Sequence, residues 1–204
     1  MTTPSARTPE QTHIALFWVE SSPLGWNRIA RIVAADRGLG QWKTARLLAL
    51  LNLALADGYI ANFDTKHYYN RWRPITAIRE AATDGNPGTA ADPAWTSLAP
   101  TPPGPEYDSG HALEGGAAAE VMQRFFRRDH IAFTTCSTTL TAGSNCSDPN
   151  PITRSFTSFS QAAEENALSR ILVGYHFRNA INRGLRHGTR IGHHTFVHFL
   201  RTLR

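Results

Sequence analysis

A continuous helix-forming segment, from residue 39 to about residue 71, most constrains what this chain can fold into. The segment contains no proline, and the first proline after it is Pro74. Between Leu47 and Ile60, apolar residues lie on nearly every side of the helix. A helix that is apolar all round is normally buried in the core of a globular protein. The sequence therefore predicts a long, mostly buried helix that ends near Pro74, with other helices packed around it.

The rest of the chain also shows helical periodicity, and no alternating segment of strand length stands out. Further helices are predicted at residues 11–20, 25–35, 75–82, 109–127, 158–173 and 178–203. Two long loops are predicted at residues 83–107, which contain six prolines, and at residues 129–154. The 204 residues are enough for one domain with a sizeable core. The predicted fold class is all-α, with residues 1–204 forming a single helical bundle.

The distribution of charge and hydropathy excludes several classes of partner. Residues 166–204 contain seven arginines and no acidic residue. No nucleic-acid motif or interleaved aromatic residues accompany this basic segment, so we interpret it as a solvated helix face and expect no nucleic-acid partner. The longest apolar stretch, residues 47–56, is half the length of a membrane span, and no span is predicted. Self-association of the chain is left open.

The stretch Asp-Ser-Gly-His at residues 108–111 opens a predicted helix. Asp108 and Ser109 are natural N-caps, so the four residues alone are best explained as an ordinary helix start with an incidental histidine. A start of this kind also presents the free N–H groups of Gly110 and His111, a hydroxyl and roughly half a positive charge. These groups could receive an oxyanion beside an imidazole.

Two further clusters supply fixed cations. Lys66 and Arg73 are seven residues apart and therefore share a helix face, at the end of a buried helix where unpaired charge would be costly. Arg170 precedes His176 across a helix break that can turn both toward one pocket. Three cations, a helix N-terminus with a hydroxyl and two histidines suit a tetrahedral oxyanion such as phosphate or vanadate. One histidine would bond the central atom and the other would handle protons.

These three clusters resemble the signature motifs shared by vanadium-dependent haloperoxidases and type 2 phosphatidic acid phosphatases. The matching residues are Lys66-x6-Arg73-Pro74, Ser109-Gly110-His111 and Ser169-Arg170-x5-His176. The flanking sequences LALADGYIANFDTKHYYNRWRP, TPPGPEYDSGHALEGGAAAE and SFSQAAEENALSRILVGYHFR are similar to the haloperoxidase branch. The resemblance extends from about residue 47 to about residue 200 and implies an α-helical bundle. Residues 1–40 resemble no family that we recognise.

The resemblance implies an enzyme that uses vanadate and hydrogen peroxide to oxidise halide. His176 would bond the vanadium, and His111 would be the acid–base group that assists peroxide and halide. The oxygens of vanadate would be held by Lys66, Arg73, Ser109, Gly110 and Arg170. Bromide is expected rather than chloride, because Gly104 stands where the family places an aromatic residue or histidine near the halide.

Two alternative functions keep the same pocket. In an acid phosphatase, phosphate would occupy the site, His176 would form a phosphohistidine and a phosphate ester would be the substrate. A catalytically decayed protein would bind anions without turnover. Two departures from the family pattern bear on this choice: Asp108 would repel an oxyanion if it pointed inward, and Ala180 removes the carboxylate that orients His176. Glu114 is expected at the helix surface, facing away from His111.

The two cysteines lie in a hydrophilic loop, TCSTTLTAGSNC, whose ends can approach each other. We predict a Cys136–Cys146 disulfide; the alternative is two free thiols. A disulfide requires an oxidising compartment, and enzymes that handle peroxide are more safely kept outside the cytoplasm. We therefore expect an exported protein, although residues 1–21 show no signal segment.

Overall fold

The computed structural model describes residues 5–201, and helices dominate it. In chain order the helices are α1 (Pro9–Phe17), α2 (Ser22–Asp36), α3 (Gln41–Tyr69), α4 (Pro74–Arg79), α5 (Gly110–Phe126), α6 (Phe159–Leu172) and α7 (Arg178–His198). A short 3₁₀ turn, Ala81–Thr83, follows α4. The predicted all-α class is confirmed. The last helix was predicted to reach residue 203, which lies outside the described residues, and α7 ends at His198.

The helix boundaries follow from local capping. The side chains of Thr8, Ser109 and Ser158 cap the N-termini of α1, α5 and α6. Helix α3 ends at Tyr69 and is followed by the C-cap residue Asn70, which adopts the left-handed conformation with a φ of 42°. Pro74 then begins α4, so Arg73 lies in the turn between two helices.

Helix α5 lies at the centre of the bundle, and every residue from 112 to 119 is buried. Its closest neighbour is α7, because small residues bring the two backbones into contact. A Cβ atom added at Gly188 would lie 1.8 Å from the carbonyl oxygen of Leu113, and one added at Gly192 would lie 2.5 Å from that of Ala117. Only glycine permits this approach, which places the start of α5 beside the start of α7.

The predicted loop at residues 129–154 is interrupted by strands, so that prediction was wrong in part. Strands β1 (Phe133–Cys136) and β2 (Thr153–Phe156) form an antiparallel ribbon in which Phe133 pairs with Phe156. Four-residue strands are too short to produce a recognisable alternation in the sequence. The predicted disulfide is confirmed: Cys136 and Cys146 are bridged, with their Cα atoms 5.3 Å apart.

Helix α3 is less buried than the sequence predicted. One of its faces packs against α2, α5 and α7, while Trp42 and Ile60 on the opposite face are 87% and 72% exposed. Among the described residues, the segment Gln41–Arg79 is long and apolar enough to cross a membrane by length and composition. This is weak evidence for a span, because core helices of bundles meet the same criterion.

Candidate functional site

A cavity of about 400 Å³ lies where the C-terminal end of α3, the N-terminus of α5 and the C-terminal end of α6 meet. Residues 102–105 cover one side of it. The structure brings six of the seven predicted site residues to its wall: Lys66, Arg73, Gly110, His111, Arg170 and His176. The seventh, Ser109, is fully buried just behind the wall, where its hydroxyl caps α5 by accepting from the N–H of Ala112 at 3.5 Å.

Arg170 supplies the clearest sign that the cavity suits an anion. Its side chain is almost fully buried, and its Nε donates to the Ser169 hydroxyl at 3.2 Å. Its Nη2 atom is buried and has no hydrogen-bond partner among residues 5–201. Burial lowers the pKa of Arg170 to about 10, so the guanidinium stays charged at neutral pH. A buried charged donor without a partner is costly, and an oxyanion in the cavity would satisfy it.

Lys66 is occupied by the loop that covers the cavity. Its Nζ atom donates to the carbonyl oxygens of Pro105, Glu106 and Asp108 at 3.0, 3.0 and 2.7 Å. These bonds use all three ammonium protons. Burial, with a further contribution from Arg73, lowers the pKa of Lys66 to about 8. Lys66 therefore ties the loop to α3 and acts on an anion mainly through its charge.

Arg73 joins the same loop to the end of α6. Its Nε donates to the Gly104 carbonyl at 2.9 Å, and its Nη1 donates to the Tyr175 carbonyl at 3.2 Å. The same Nη1 lies 3.4 Å from Nε2 of His176. Burial lowers the pKa of Arg73. Arg73 thus holds both the covering loop and the histidine segment in place while keeping its charge at the cavity wall.

His176 has a carboxylate partner, which corrects the expectation drawn from Ala180. Nδ1 of His176 lies 3.1 Å from Oε1 of Glu106, and the same oxygen accepts the N–H of Phe177 at 2.9 Å. The carboxylate comes from the covering loop rather than from the helix after His176. Burial and then Arg73 lower the pKa of His176 well below its usual value, so the ring is neutral. Burial raises the pKa of Glu106, and the N–H of Phe177 and the charge of Lys66 oppose that shift. When Glu106 is ionised, Nδ1 of His176 carries the proton and Nε2 keeps its lone pair.

His111 is held by a backbone group that the sequence gave no reason to expect. Its Nε2 lies 3.0 Å from the carbonyl oxygen of Glu20, in the turn between α1 and α2. Because a carbonyl oxygen can only accept, Nε2 carries the proton and Nδ1 is an acceptor. Burial lowers the pKa of His111 to about 3, and the positive charge of Arg170 acts in the same direction. The histidine is therefore neutral in the absence of an anion.

Asp108 does not face the cavity. Its Oδ1 accepts from Asn62 Nδ2 at 2.6 Å, and its Oδ2 lies 3.0 Å from Nδ1 of His187. Both oxygens are thus engaged by α3 and α7. The carboxylate that could have repelled an oxyanion instead fixes the start of α5 to its neighbours.

Glu114 lies in the cavity wall, so the expectation that it occupies the helix surface was wrong. It is 2% exposed, and its Oε2 is buried without a hydrogen-bond partner among the described residues. Residues three apart share a helix face, and α5 is buried on all sides. Burial raises the pKa of Glu114 to about 7, although the hydroxyls of Ser22 and Tyr59 and the charge of Arg170 oppose the shift.

The family model described as the VCPO second helical-bundle domain matches residues 46–204 of this chain. The chain belongs to the vanadium haloperoxidase family. The match spans all three clusters that line the cavity, and the family resemblance predicted from the motifs is confirmed.

Individual relatives agree with this assignment. The chain is 29% identical to the vanadium chloroperoxidase of Curvularia inaequalis, over 84% of this chain and 36% of that protein. It superposes on a bacterial vanadium-dependent iodoperoxidase with a TM-score of 0.79 and 32% identity, covering 95% of this chain and 45% of that one. A bacterial vanadium-dependent chloroperoxidase in its holo form shares the fold, with a TM-score of 0.73 and 21% identity. The chain spans less than half the length of each of these relatives.

Proposed function

We propose that this chain carries the vanadate site of a haloperoxidase that oxidises halide with hydrogen peroxide. The observation that supports this most strongly is the Nη2 atom of Arg170, which is buried without a hydrogen-bond partner among the described residues. Arg170 lines the cavity together with two histidines whose pKa values are lowered. The fold of the vanadium haloperoxidases and the relatives named chloroperoxidase and iodoperoxidase favour the same reaction. Bound vanadate would supply the Lewis-acid centre that activates peroxide.

The residues at the cavity wall fit a tetrahedral oxyanion. Arg170 and Arg73 would donate to its oxygens together with the N–H of Gly110, and Lys66 would add positive charge from behind the loop. Ser109 would contribute through its hydroxyl at the start of α5. The Nε2 atom of His176, kept unprotonated by the contact of Nδ1 with Glu106, would be the ligand to vanadium.

His111 is placed to handle the proton that the reaction consumes. Halide, hydrogen peroxide and one proton give hypohalous acid and water. Nε2–H of His111 donates to the carbonyl oxygen of Glu20, and Nδ1 can accept a proton. Burial and then the charge of Arg170 lower its pKa to about 3. An incoming anion would offset the effect of the cations, raise that pKa and favour protonation. The histidine would then deliver the proton within the cavity.

The halide is proposed to be bromide or iodide rather than chloride. Gly104 adds no side chain to the covering loop, and the nearby wall is formed mainly by Pro102, Pro103, Tyr59 and Phe63. This wall offers few fixed donors to a small, strongly hydrated anion, so the most readily oxidised halides should react best.

Reconstitution with orthovanadate, followed by dye bromination and iodination with hydrogen peroxide, tests the proposal. We expect halogenation that requires vanadate and is lost in His111→Ala, whereas Glu164→Gln, an exposed change on α6, keeps it. Vanadate binding without any halogenation would reject the haloperoxidase proposal and favour a decayed anion-binding protein.

A second candidate, an acid phosphatase, is favoured by the contact between Glu106 and His176. A carboxylate that orients a neutral imidazole is what a phosphohistidine mechanism requires, and phosphate would occupy the same cavity. Hydrolysis of a chromogenic phosphomonoester, inhibited by vanadate and abolished in His176→Ala, would support it. Unchanged hydrolysis in that variant would reject it.

We further propose that the protein works in an oxidising, extracytoplasmic compartment, since the Cys136–Cys146 bridge would be reduced in most cytosols. Fractionation of the producing cells, with detection of the disulfide in the recovered protein, tests this. Recovery from the cytosol with both thiols free would reject it.

A further inference from the structure

The exposed face of α3 carries an apolar stripe that nothing in the described chain covers. Trp42, Leu53, Ile60 and Phe63 are 87, 39, 72 and 53% exposed. The three positions between them on the same side are exposed alanines at 45, 49 and 56. At about 100° per residue, all seven fall within an arc of about 80°, along about 32 Å of helix. Exposed apolar stripes of this length mark interaction surfaces.

The stripe is complementary to a second copy of itself when the two α3 helices are antiparallel. A two-fold axis near residues 52 and 53 places Trp42 opposite Phe63 of a second α3, and Ala45 opposite Ile60. The same axis places Ala49 opposite Ala56 and sets Leu53 beside its own copy. Apolar residues therefore meet apolar residues along the whole stripe, and the central alanines allow the two helices to approach closely. No other register gives this correspondence at every position.

The charges on one flank of the stripe match the same register. Lys43 lies near the N-terminal end of α3 and Asp64 near its C-terminal end, and both are exposed. The two-fold axis of an antiparallel pair is perpendicular to the plane that contains both helices. It therefore places the same flank of both helices on the same side of the seam, and Lys43 lies on the side of Asp64 of the second copy. Each dimer would therefore contain this pair twice. A parallel two-fold pair would place the two Lys43 side chains on opposite sides of the seam, about 31 Å along it from Asp64, so that this pairing would be lost.

We propose that α3 pairs with α3 of a second copy of this chain in an antiparallel, two-fold seam along this stripe. The occupant is another copy because both the apolar register and the flanking charges are complementary to themselves, as an isologous interface requires. The seam ends at Phe63, which also lines the cavity, so Trp42 of the second copy covers one rim of it. A single-helix interface is small, and we expect a micromolar dissociation constant.

Sedimentation equilibrium over micromolar to submillimolar concentrations tests the seam. The wild-type chain should approach twice the 22.5 kDa monomer mass. Ala49→Glu should raise the dissociation constant roughly 30-fold or more, because it buries two unpaired carboxylates. Ala35→Glu is the matched control, since Ala35 is an exposed alanine near the end of α2, and it should dimerise normally. A monomeric wild type, or a dimer that Ala49→Glu leaves intact, would overturn the proposal.

Cross-linking tests the register. The two native cysteines are already bridged, so an added cysteine is the only reactive thiol. Leu53→Cys should form a disulfide-linked dimer under mild oxidation, whereas Ala56→Cys should not, because position 56 faces position 49. Efficient linkage of Ala56→Cys would refute the two-fold axis.

Charge exchange and vesicle binding complete the test. Lys43→Glu and Asp64→Lys should each weaken the dimer several-fold, and the double variant should recover it. Additive weakening in the double variant would contradict the pairing. Co-sedimentation with anionic phospholipid vesicles that Ala49→Glu abolishes, in a wild type that stays monomeric, would assign the stripe to a lipid surface instead.

Discussion

Glu106 is the residue that most changes the chemistry available to His176. It lies 70 residues away in sequence, yet its Oε1 contacts both Nδ1 of His176 and the N–H of Phe177. An anionic partner makes Nε2 of the imidazole a stronger ligand. The same negative charge, at the edge of a cationic cavity, weakens the binding of an anion that is held by charge alone. Vanadate and phosphate should therefore respond differently to its removal.

We predict that Glu106→Gln lowers vanadate affinity about tenfold, because the imidazole loses its anionic partner. Phosphate affinity should stay the same or rise, because phosphate needs only the positive charge of the cavity. Isothermal titration calorimetry with each anion measures both effects, with Glu164→Gln as the control. Equal losses for the two anions would show that Glu106 merely supports the loop.

Glu114 predicts a pH dependence of stability. Its pKa of about 7 in the folded protein lies above the usual 4.5, so folding favours the protonated form. The corresponding stability is present at low pH and is lost as pH rises through about 7. Relative to wild type, Glu114→Gln should gain about 2–3 kcal/mol of unfolding free energy between pH 5 and 8.

Urea unfolding at several pH values, in phosphate-free buffer, measures this gain directly. The difference between the variant and wild type cancels the contribution of the histidines, whose lowered pKa values act in the opposite direction. A constant difference across this pH range would mean that Glu114 ionises normally.

Among individual residues, the sequence predicted the site residues that belong to short motifs. It did not predict the residues that reach the site from distant parts of the chain. Lys66, Arg73, His111, Arg170 and His176 all reach one cavity, as their spacing and the family resemblance indicated. Glu106 and the Glu20 carbonyl were missed because their positions depend on how a proline-rich loop and the α1–α2 turn fold back on the bundle. Local periodicity contains no information about such contacts.

At the scale of elements, the contact between α5 and α7 positions the second motif. A side chain at Gly188 would collide with the Leu113 carbonyl, whereas Gly40 has no described atom within 4 Å of an added Cβ. We predict that Gly188→Ala costs about 3 kcal/mol of stability by forcing the helices apart, although alanine favours the helix itself. Gly40→Ala should change stability by less than about 1 kcal/mol. Thermal unfolding of both variants tests this, and a stable Gly188→Ala protein would contradict the close packing.

The disulfide loop supports the site from a distance. Thr138, two residues after Cys136, donates its N–H to Oε1 of Glu20 at 3.0 Å, and the Glu20 carbonyl contacts His111. We predict that Cys136→Ser with Cys146→Ser lowers the unfolding free energy by about 2–3 kcal/mol. Urea unfolding with and without reductant checks it: reductant should destabilise wild type and leave the double variant unchanged. No effect in either protein would show that the loop is held by its other contacts.

Most helices were predictable because capping residues and apolar spacing act locally. The β1–β2 ribbon was not, since its strands are stabilised by pairing across residues 137–152. The degree of burial of α3 was also mispredicted. An apolar stripe in a sequence shows that a face avoids water, but it cannot show whether that face meets the same chain or another one.

At the scale of the whole molecule, the cavity and the apolar stripe meet at one end of α3. Lys66, Arg73 and Arg170 lie at that end. Of the acidic side chains there, Asp108 is engaged by α3 and α7, Glu106 contacts His176, and Glu114 has a pKa raised by burial. The single all-α bundle was predictable from composition and periodicity. The net charge of +5 was not informative about the site, because the charges that matter are buried and few.

A crystal structure of the protein soaked in orthovanadate tests the vanadate site most directly. We expect vanadate in the cavity, bonded through vanadium to Nε2 of His176 and contacted by Nη2 of Arg170, while Nδ1 of His176 keeps its contact with Glu106. Vanadate bound elsewhere, or an empty cavity at saturating vanadate, would contradict it.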